Sequence, residues 1–152
     1  MVECTFELNG KPLSALKCKS LELAAFSGKG EYVNQRRYAC SYGAGPIPPG
    51  VYYVVDRESG GMLGGLRDFF NGRNKWFALY AADAKIDDEM FCNNVIRGRF
   101  RLHPKGPLGI SEGCIVIDEA AQFENLRAML TGSLSREIPG SSFKAYGKVT
   151  VT

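Results

Sequence analysis

The junction that indicates a β-rich fold reads Gly45-Pro46-Ile47-Pro48-Pro49-Gly50, followed by Val51-Tyr52-Tyr53-Val54-Val55. The prolines restrict the backbone before the second segment, and the glycines permit a turn. The second segment is an unbroken run of β-branched and aromatic side chains, which is typical of a buried strand. The preceding residues 27–49 are rich in Gly, Asn, Arg and Pro, so they predict a long surface loop. Such loops in small domains are often functional.

Further strands are predicted on both sides of this junction, from short apolar runs bounded by turn residues. They lie at Cys4–Leu8, after the Asn9-Gly10 turn, at Leu21–Phe26, at Trp76–Ala81 and at Phe143–Val151. Two helices are predicted, one over Leu63–Phe70 and one over Glu119–Leu130, whose Phe123, Leu126 and Leu130 share one face. Short strands with one or two short helices, and no strand–helix alternation, predict a mainly β (β-rich α+β) domain.

The composition is that of a single globular domain spanning residues 1–152. The chain has 45% hydrophobic and 23% charged residues, and its formal net charge of +3 is spread without a basic cluster. No nucleic-acid partner is therefore expected, because nucleic-acid-binding proteins concentrate Lys and Arg on one face. An apolar run of 18 residues and a signal-peptide pattern are both missing, so we expect no membrane span and synthesis in the cytoplasm without a secretory signal.

The chain contains five cysteines and one histidine. No two cysteines form a Cys-x-x-Cys pair, and one histidine cannot complete the paired spacings of a structural zinc site. We therefore expect no metal and no cofactor. Because five is an odd number, at least one thiol stays free within the chain even in an oxidising compartment.

The single histidine, His103, is the last residue of an alternating segment, residues 97–103. As one strand, this segment would place Arg97, Arg99, Arg101 and His103 on one face, opposite Phe100 and Leu102. The arginines, Arg101 among them, would disfavour the charged form of the imidazole and are candidates to hold an anionic end of a substrate. The plainer interpretation is a solvated cationic strand face.

A second chemical feature, Cys114, comes eleven residues after His103. The Gly and Pro residues between them predict a chain reversal, and the apolar run from Cys114 predicts a returning strand. A thiol near an imidazole can act as a nucleophile, because the imidazole accepts its proton. Gly113 permits a tight turn that aims backbone N–H groups at an oxyanion, and Ser111 could brace that turn or bind substrate. Alternatively, Cys114 is a small buried hydrophobe at the start of a core strand.

Together, His103 and Ser111-Glu112-Gly113-Cys114 resemble the His…Ser-x-Gly-Cys signature of L,D-transpeptidases, most closely their type VI secretion effector branch. Other matching landmarks are Ala25–Gly30, Gly45–Tyr52, Asp56-Arg57 with Gly60-Gly61, and Phe100–Pro104. The similarity runs from about residue 20 to the C-terminus. It implies an L,D-transpeptidase-like β-sandwich with one or two short helices.

The resemblance also implies roles for these residues. Cys114 would be the nucleophile, His103 the general base and acid, and the backbone at Gly113 and Cys114 the oxyanion hole, with Ser111 in the same catalytic set. A backbone carbonyl would orient the histidine. Housekeeping members usually place Gly after the His and Arg two residues after the Cys, where this chain has Pro104 and Val116. Cross-link formation is therefore less expected than cleavage.

The implied function is that of an antibacterial enzyme acting on peptidoglycan stem tetrapeptides, as an L,D-carboxypeptidase, an L,D-transpeptidase that exchanges D-amino acids, or both. The resemblance implies delivery by a type VI secretion system into a target-cell periplasm, with a secretion component and a cognate immunity protein as partners. Two alternatives are a non-catalytic peptidoglycan-binding module and a Cys-His peptidase or amidase of another fold. We further predict that Cys114 is the free thiol, which leaves three pairings open for Cys4, Cys18, Cys40 and Cys92.

Overall fold

The structure, a computed structural model, describes residues 1–57 and 72–152. Its strands are β1 (Val2–Phe6), β2 (Ser14–Cys18), β3 (Leu21–Phe26), β4 (Gly50–Asp56), β5 (Phe77–Ala81), β6 (Glu89–Cys92), β7 (Val95–Gly98), β8 (Arg101–Pro104), β9 (Ile115–Ile117), β10 (Arg136–Glu137) and β11 (Lys144–Val151). The α-helix α1 spans Ala120–Thr131, and short 3₁₀ turns lie at Gly30–Tyr32, Arg36–Tyr38 and Arg73–Lys75. The predicted β-rich α+β class is confirmed. The helix predicted over 63–70, and Gly60-Gly61, lie outside the described residues.

The main sheet closes on itself. Its strand order is β1-β2-β3-β9-β8-β5-β4-β11-β10, and β11 also pairs in parallel with β1, from Val2 opposite Gly147 to Phe6 opposite Val151. The result is a barrel-like sheet, whereas a sandwich would keep two sheets apart. Strands β6 and β7 form a separate hairpin. Closure leaves β8 and β9, which carry the chemical motif, in the interior of the strand order.

Helix α1 covers the hydrophobic core near these two strands. Its buried Phe123, Leu126 and Leu130 join the core cluster that also contains Leu102 of β8 and Ile115 of β9. The predicted helix and its apolar face are thus confirmed. Leu102 on β8 and Ile115 on β9 point into the core. Side chains alternate along a strand, so the residues next to Leu102 and next to Ile115 point to the other face of the sheet.

The prediction of one continuous strand over 97–103 is wrong. Strand β7 ends at Gly98 and β8 begins at Arg101, because Arg99 adopts a left-handed backbone conformation with φ 57° that interrupts the extended chain. Arg97 is consequently not on a solvated face with Arg101 and His103, and only 2% of it is exposed. The alternation holds within β8, where Leu102 is buried in the core between Arg101 and His103.

The return of the chain after His103 also differs from the simple reversal that the sequence predicted. Strands β8 and β9 run parallel, with His103 opposite Val116. Residues 105–114 carry the chain back past the start of β8 before β9 begins, so the two strands share one direction. Cys114 therefore lies two residues before the position opposite His103, and no hairpin turn joins the two residues.

The cysteine prediction is confirmed for Cys114, which is the free thiol. Cys4 and Cys18 form a disulfide between directly opposed positions of β1 and β2. Cys40 and Cys92 form a second disulfide, which ties the loop over residues 27–49 to β6. None of the described helices combines the length and apolar character needed to cross a bilayer. In residues 1–57 and 72–152, no group of three or more His, Cys, Asp or Glu side chains is arranged to hold a metal ion.

Candidate active site

Strands β8 and β9 place His103 and Cys114 on the same face of the sheet. His103 is opposite Val116, and Cys114 precedes Val116 by two residues, so both side chains leave the sheet on the side away from the core. With strands about 4.8 Å apart and a rise of about 3.3 Å per residue, the two Cα atoms are about 8 Å apart. That separation suits side chains that approach each other across the sheet surface.

A backbone carbonyl fixes the tautomer of His103. Nδ1 of the imidazole lies 2.7 Å from the carbonyl oxygen of Pro104. Because a carbonyl oxygen can only accept, Nδ1 must carry the proton and donate it, and the lone pair is then on Nε2. The family resemblance implies such a carbonyl, and the structure provides one in the next residue of the chain.

The indole of Trp76 stacks on the imidazole of His103. Their ring centroids are 4.1 Å apart and the ring planes differ by 16°. The guanidinium groups of Arg73 and Arg57 lie 5.4 Å and 5.6 Å from the indole centroid. Burial lowers the pKa of His103 below its usual value, and the charges of Arg73 and Arg57 lower it further, against the Pro104 hydrogen bond. The imidazole is therefore neutral at pH 7.

Ser111 braces the turn that precedes Cys114. Its hydroxyl donates to the carbonyl of Cys114 at 2.7 Å and accepts from the N–H groups of Gly113 at 3.2 Å and Gly28 at 3.3 Å. One donor and two acceptor positions are all that a hydroxyl offers, so Ser111 has no remaining capacity for a substrate. Of the two roles that the sequence left open for Ser111, the structure supports bracing.

The loop over residues 27–49 packs against the same turn. The buried Ser27 hydroxyl donates to the carbonyl of Gly113 at 3.3 Å and accepts from the N–H of Ile47 at 2.8 Å. The side chain of Asn34, also fully buried, accepts from the Ser27 N–H at 2.9 Å. This segment was predicted as a surface loop, yet its buried polar groups are satisfied against the Cys114 turn and within the loop itself.

The buried Arg97 side chain links the loop over residues 27–49 to the turn before Cys114 by hydrogen bonds. Its guanidinium donates to the carbonyls of Ala39, of Gly45 at 3.1 Å, of Pro46 at 3.3 Å and of Glu112 at 3.3 Å. A Cβ on Gly113 would lie 2.7 Å from Nη2 of Arg97 and 2.8 Å from Cε1 of Phe100. Gly113, whose φ is 123°, thus fits a backbone conformation and a packing space that exclude other residues.

The electrostatic surroundings of Cys114 favour its neutral thiol. Burial raises the pKa of the Cys114 thiol, while a backbone hydrogen bond and the charge of the neighbouring Arg101 partly counter this. Arg101 itself binds both carboxylate oxygens of Asp88 at 2.7 Å. Its guanidinium, which the sequence suggested for a substrate anion, is therefore engaged within the protein.

The two candidate catalytic side chains line separate clefts. Cys114 lines a cleft of about 380 Å³ whose walls are the loop residues Tyr42 and Gly43 and, opposite them, residues of the β6–β7 hairpin. His103 lines a larger cleft of about 770 Å³ together with Trp76 and residues 104–110. Arg99 and Cys114, which precede β8 and β9, line the smaller cleft, and His103 and Pro104 at the end of β8 line the larger one.

Three of the sequence-predicted residues, Ser111, Gly113 and Cys114, share one hydrogen-bonded turn, and His103 lies on the neighbouring strand β8. Sequence reasoning missed Trp76, Arg97 and Asn34, which hold these residues in place. Trp76 was read as the first residue of a core strand, and Arg97 as part of a solvated face. The proximity of Trp76 to the site has no local sequence signal, whereas a hairpin at Asn93-Asn94, both with positive φ, could have separated Arg97 from β8.

Comparison with known proteins gives one family match, which covers the segment holding this candidate site. The Tlde1 domain model matches residues 21–141 of the 152-residue chain. The chain belongs to the Tlde1 family. This is a family of type VI secretion effectors of the L,D-transpeptidase type, and membership in it supports an enzyme that modifies peptidoglycan. No curated protein and no solved structure shows a significant match.

The Tlde1 match contains every residue of the candidate site. It begins at the first residue of β3 and ends between β10 and β11. Strands β1, β2 and β11 lie outside it, and their pairings close the sheet around the matched segment. The matched segment therefore contains the candidate site, and the flanking strands complete the barrel-like sheet.

Proposed function

We propose that the protein is a cysteine acyltransferase that removes or exchanges the terminal D-alanine of peptidoglycan stem tetrapeptides, acting as an L,D-carboxypeptidase and as a D-amino acid-exchanging L,D-transpeptidase. The observation that carries this proposal is the position of a free thiol, Cys114, on the same sheet face as His103, whose Nδ1 proton is directed at the Pro104 carbonyl. The thiol and the base are the two groups that acyl transfer through sulfur requires.

The resting state contains a thiol and a neutral imidazole, because the pKa of Cys114 is raised and that of His103 is lowered. Nε2 of His103 takes the thiol proton as the sulfur attacks the carbonyl of the third stem residue, a diamino acid. The imidazolium then protonates the D-alanine nitrogen, the C–N bond breaks, and a thioester remains on Cys114. Water, or the amine of a free D-amino acid, resolves the thioester after transferring a proton to Nε2.

Backbone N–H groups at the Cys114 turn would stabilise the oxyanion. The N–H of Gly113 already donates to Ser111 in the resting structure. The N–H of Cys114 is therefore the donor we assign to the oxyanion first, with Gly113 contributing if its bond to Ser111 lengthens. Ser111, Ser27 and Arg97 keep this turn in place, and pre-set donors lower the barrier because they need no rearrangement during the reaction.

Hydrolysis and exchange fit the site better than cross-linking. Housekeeping L,D-transpeptidases usually carry an Arg two residues after the nucleophile, but this chain has Val116, which is 1% exposed. A buried Val cannot contact an acceptor stem. Removal or exchange of the terminal D-alanine deprives wall synthesis of donor stems, which would make the enzyme toxic to a rival bacterium.

Delivery and immunity are further parts of the proposal. We assign the site of action to the periplasm of a target cell, reached through a type VI secretion system, and we expect the producing cell to hold a cognate immunity protein. The Cys4–Cys18 and Cys40–Cys92 disulfides support an oxidising site of action. Expression directed to the periplasm should be toxic and cytoplasmic expression tolerated; equal tolerance in both compartments would contradict the effector assignment.

The reaction is tested with purified muropeptides and mass spectrometry of released D-alanine. Wild type should shorten tetrapeptide stems to tripeptides, and Cys114→Ala should not. The double variant Cys4→Ala/Cys18→Ala is the matched control, because it removes two sulfur atoms from β1 and β2 and leaves the site intact. Equal trimming by wild type and Cys114→Ala, or no trimming by either, would refute the proposed reaction.

A further inference from the structure

Three arginines lie near Cys114, and the side chains of two of them, Arg97 and Arg101, bind groups of the protein itself. The guanidinium of Arg97 is buried and donates to backbone carbonyls of the loop and of Glu112. The guanidinium of Arg101 forms a two-bond ion pair with Asp88 at 2.7 Å. Neither group can turn toward a ligand without leaving a buried partner unpaired, which costs more than an exposed contact returns.

Arg99 differs from both. It lines the same cleft as Cys114, its residue is exposed, and no ion pair joins it to Glu89, Glu112 or another acid of the described residues. The other cation beside this turn, Lys29, already pairs with Glu112 at 3.6 Å. Within residues 1–57 and 72–152, Arg99 is thus the cation of this cleft whose guanidinium has neither an ion pair nor a hydrogen bond to the protein.

The backbone of Arg99 is held in a fixed and uncommon conformation. Its φ is 57°, a left-handed value that a non-glycine residue adopts at a cost. Its N–H donates to the carbonyl of Asp88 at 3.0 Å, and its own carbonyl lies 4.0 Å from Sγ of Cys114. The side chain therefore starts from a position set by Asp88, directly beside the reacting sulfur.

We propose that Arg99 binds the terminal carboxylate of the donor stem and so restricts the enzyme to stems that end one residue beyond the scissile bond. This inference rests on the proposed function. One residue spans at most about 3.6 Å, and the backbone carbonyl of Arg99 lies 4.0 Å from the sulfur. A carboxylate one residue beyond the attacked carbonyl is therefore within reach of the long Arg99 side chain that starts there. Guanidinium and carboxylate match as a planar, two-bond pair. A stem with a further residue would place a neutral peptide group there instead.

The inference is tested by binding, in a variant that cannot turn over. Cys114→Ala is titrated calorimetrically with a synthetic stem tetrapeptide bearing a free C-terminal carboxylate, and with the same peptide bearing a C-terminal amide. The carboxylate form should bind about 10- to 100-fold more tightly. Adding Arg99→Gln should remove this preference and leave the affinity for the amide within about twofold. Arg99→Lys should retain part of the preference for the carboxylate peptide, because lysine keeps the positive charge but cannot form the planar two-bond contact of a guanidinium.

Arg136→Gln is the matched control, since Arg136 is an exposed arginine on β10. It should leave both affinities unchanged. If Arg99→Gln weakens both peptides equally, or weakens neither, Arg99 does not recognise the carboxylate and the inference is refuted. Failure of the proposed function is a different result: wild type would then release neither D-alanine from the carboxylate peptide nor D-alaninamide from the amide peptide, whatever the binding preference.

Discussion

The turn before Cys114 and the end of β8 at His103 belong to neighbouring segments of the sheet, but different kinds of contact fix their positions. The turn is fixed through its backbone, by buried hydrogen bonds from Ser111, Ser27 and Arg97. His103 is fixed through its side chain, by one carbonyl and by the flat face of Trp76. A nucleophile must present its sulfur and nearby N–H groups together, which requires a rigid backbone, whereas a base must present one ring nitrogen in one direction.

This difference predicts that the turn tolerates almost no added volume. In Gly113→Ala the new Cβ would contact Arg97 and Phe100 at under 3.0 Å, and φ 123° is unfavourable for alanine. We expect a loss of about 3 kcal/mol in the free energy of unfolding and at least a 100-fold loss of D-alanine release. Denaturant unfolding and the release assay measure both. Gly106→Ala, where a Cβ meets nothing within 4 Å, controls for stability; equal costs at the two positions would contradict the packing argument.

Removing the brace should have the next largest effect. Ser111→Ala leaves the N–H groups of Gly28 and Gly113 and the carbonyl of Cys114 without this partner. We expect about 1–3 kcal/mol less stability and a fall in kcat that is larger than any change in KM. The control is Ser141→Ala, whose hydroxyl bonds only neighbours in sequence, Ile138 and Phe143. If KM rises while kcat is preserved, Ser111 contacts the substrate and the bracing role is wrong.

On the histidine side, the aromatic stack can be removed without touching the turn. Trp76→Leu should lower kcat about three- to tenfold, the range expected for one aromatic contact, and Trp76→Phe should restore most of it. In wild type, the lowered pKa of His103 keeps more of the base unprotonated in mildly acidic solution than an ordinary histidine would, so activity should persist to lower pH. In Trp76→Leu the pKa should rise, and activity should be lost at a higher pH as the solution is acidified.

This shift can be observed directly because the chain has a single histidine. An NMR titration of its ring proton should give a higher pKa in Trp76→Leu than in wild type. The pH dependence of kcat/KM should move by the same amount. An unchanged pKa would show that the stack orients the ring without shielding it from solvent. An unchanged kcat would show that Trp76 has no role in positioning His103 for the reaction.

The two disulfides give the smallest predicted difference. Cys40–Cys92 joins the loop bearing Tyr42 to the β6–β7 hairpin, and these form the two walls of the Cys114 cleft. Cys4–Cys18 only joins β1 to β2. We expect Cys40→Ser/Cys92→Ser to raise KM severalfold because the walls separate more readily, and Cys4→Ser/Cys18→Ser to reduce stability alone. Steady-state kinetics distinguish them, and equal KM values would show that the cleft does not depend on the bridge.

The same contrast explains what the sequence could reveal. Leu21–Phe26, Val51–Val55 and the helix with Phe123, Leu126 and Leu130 are local patterns, and the structure confirms each. The family was also recognisable from the motif between His103 and Cys114, because this motif is a short combination of specific residue types, and the catalytic roles of its residues stay a prediction. In each of these cases, side-chain chemistry within one segment determines the result.

The remaining features depend on contacts between distant segments. Alternation alone could not show that Arg99 turns the backbone between β7 and β8, and it placed Arg97 in solvent although distant carbonyls surround it. The parallel pairing of β8 and β9 depends on the path of residues 105–114, which their Gly and Pro content does not determine. The stack of Trp76 on His103 requires β5 to pair with β8, a non-local fact.

The central claim is that Cys114 forms a thioester with the stem while His103 moves the proton. It is tested most directly by rapid quenching of the enzyme with stem tetrapeptide, followed by intact-protein and peptide mass spectrometry. We predict an adduct with the mass of the tripeptide acyl group, located on Cys114, together with one released D-alanine, and much less of both in His103→Gln. D-alanine release by Cys114→Ala, or an adduct on another residue, would contradict the account.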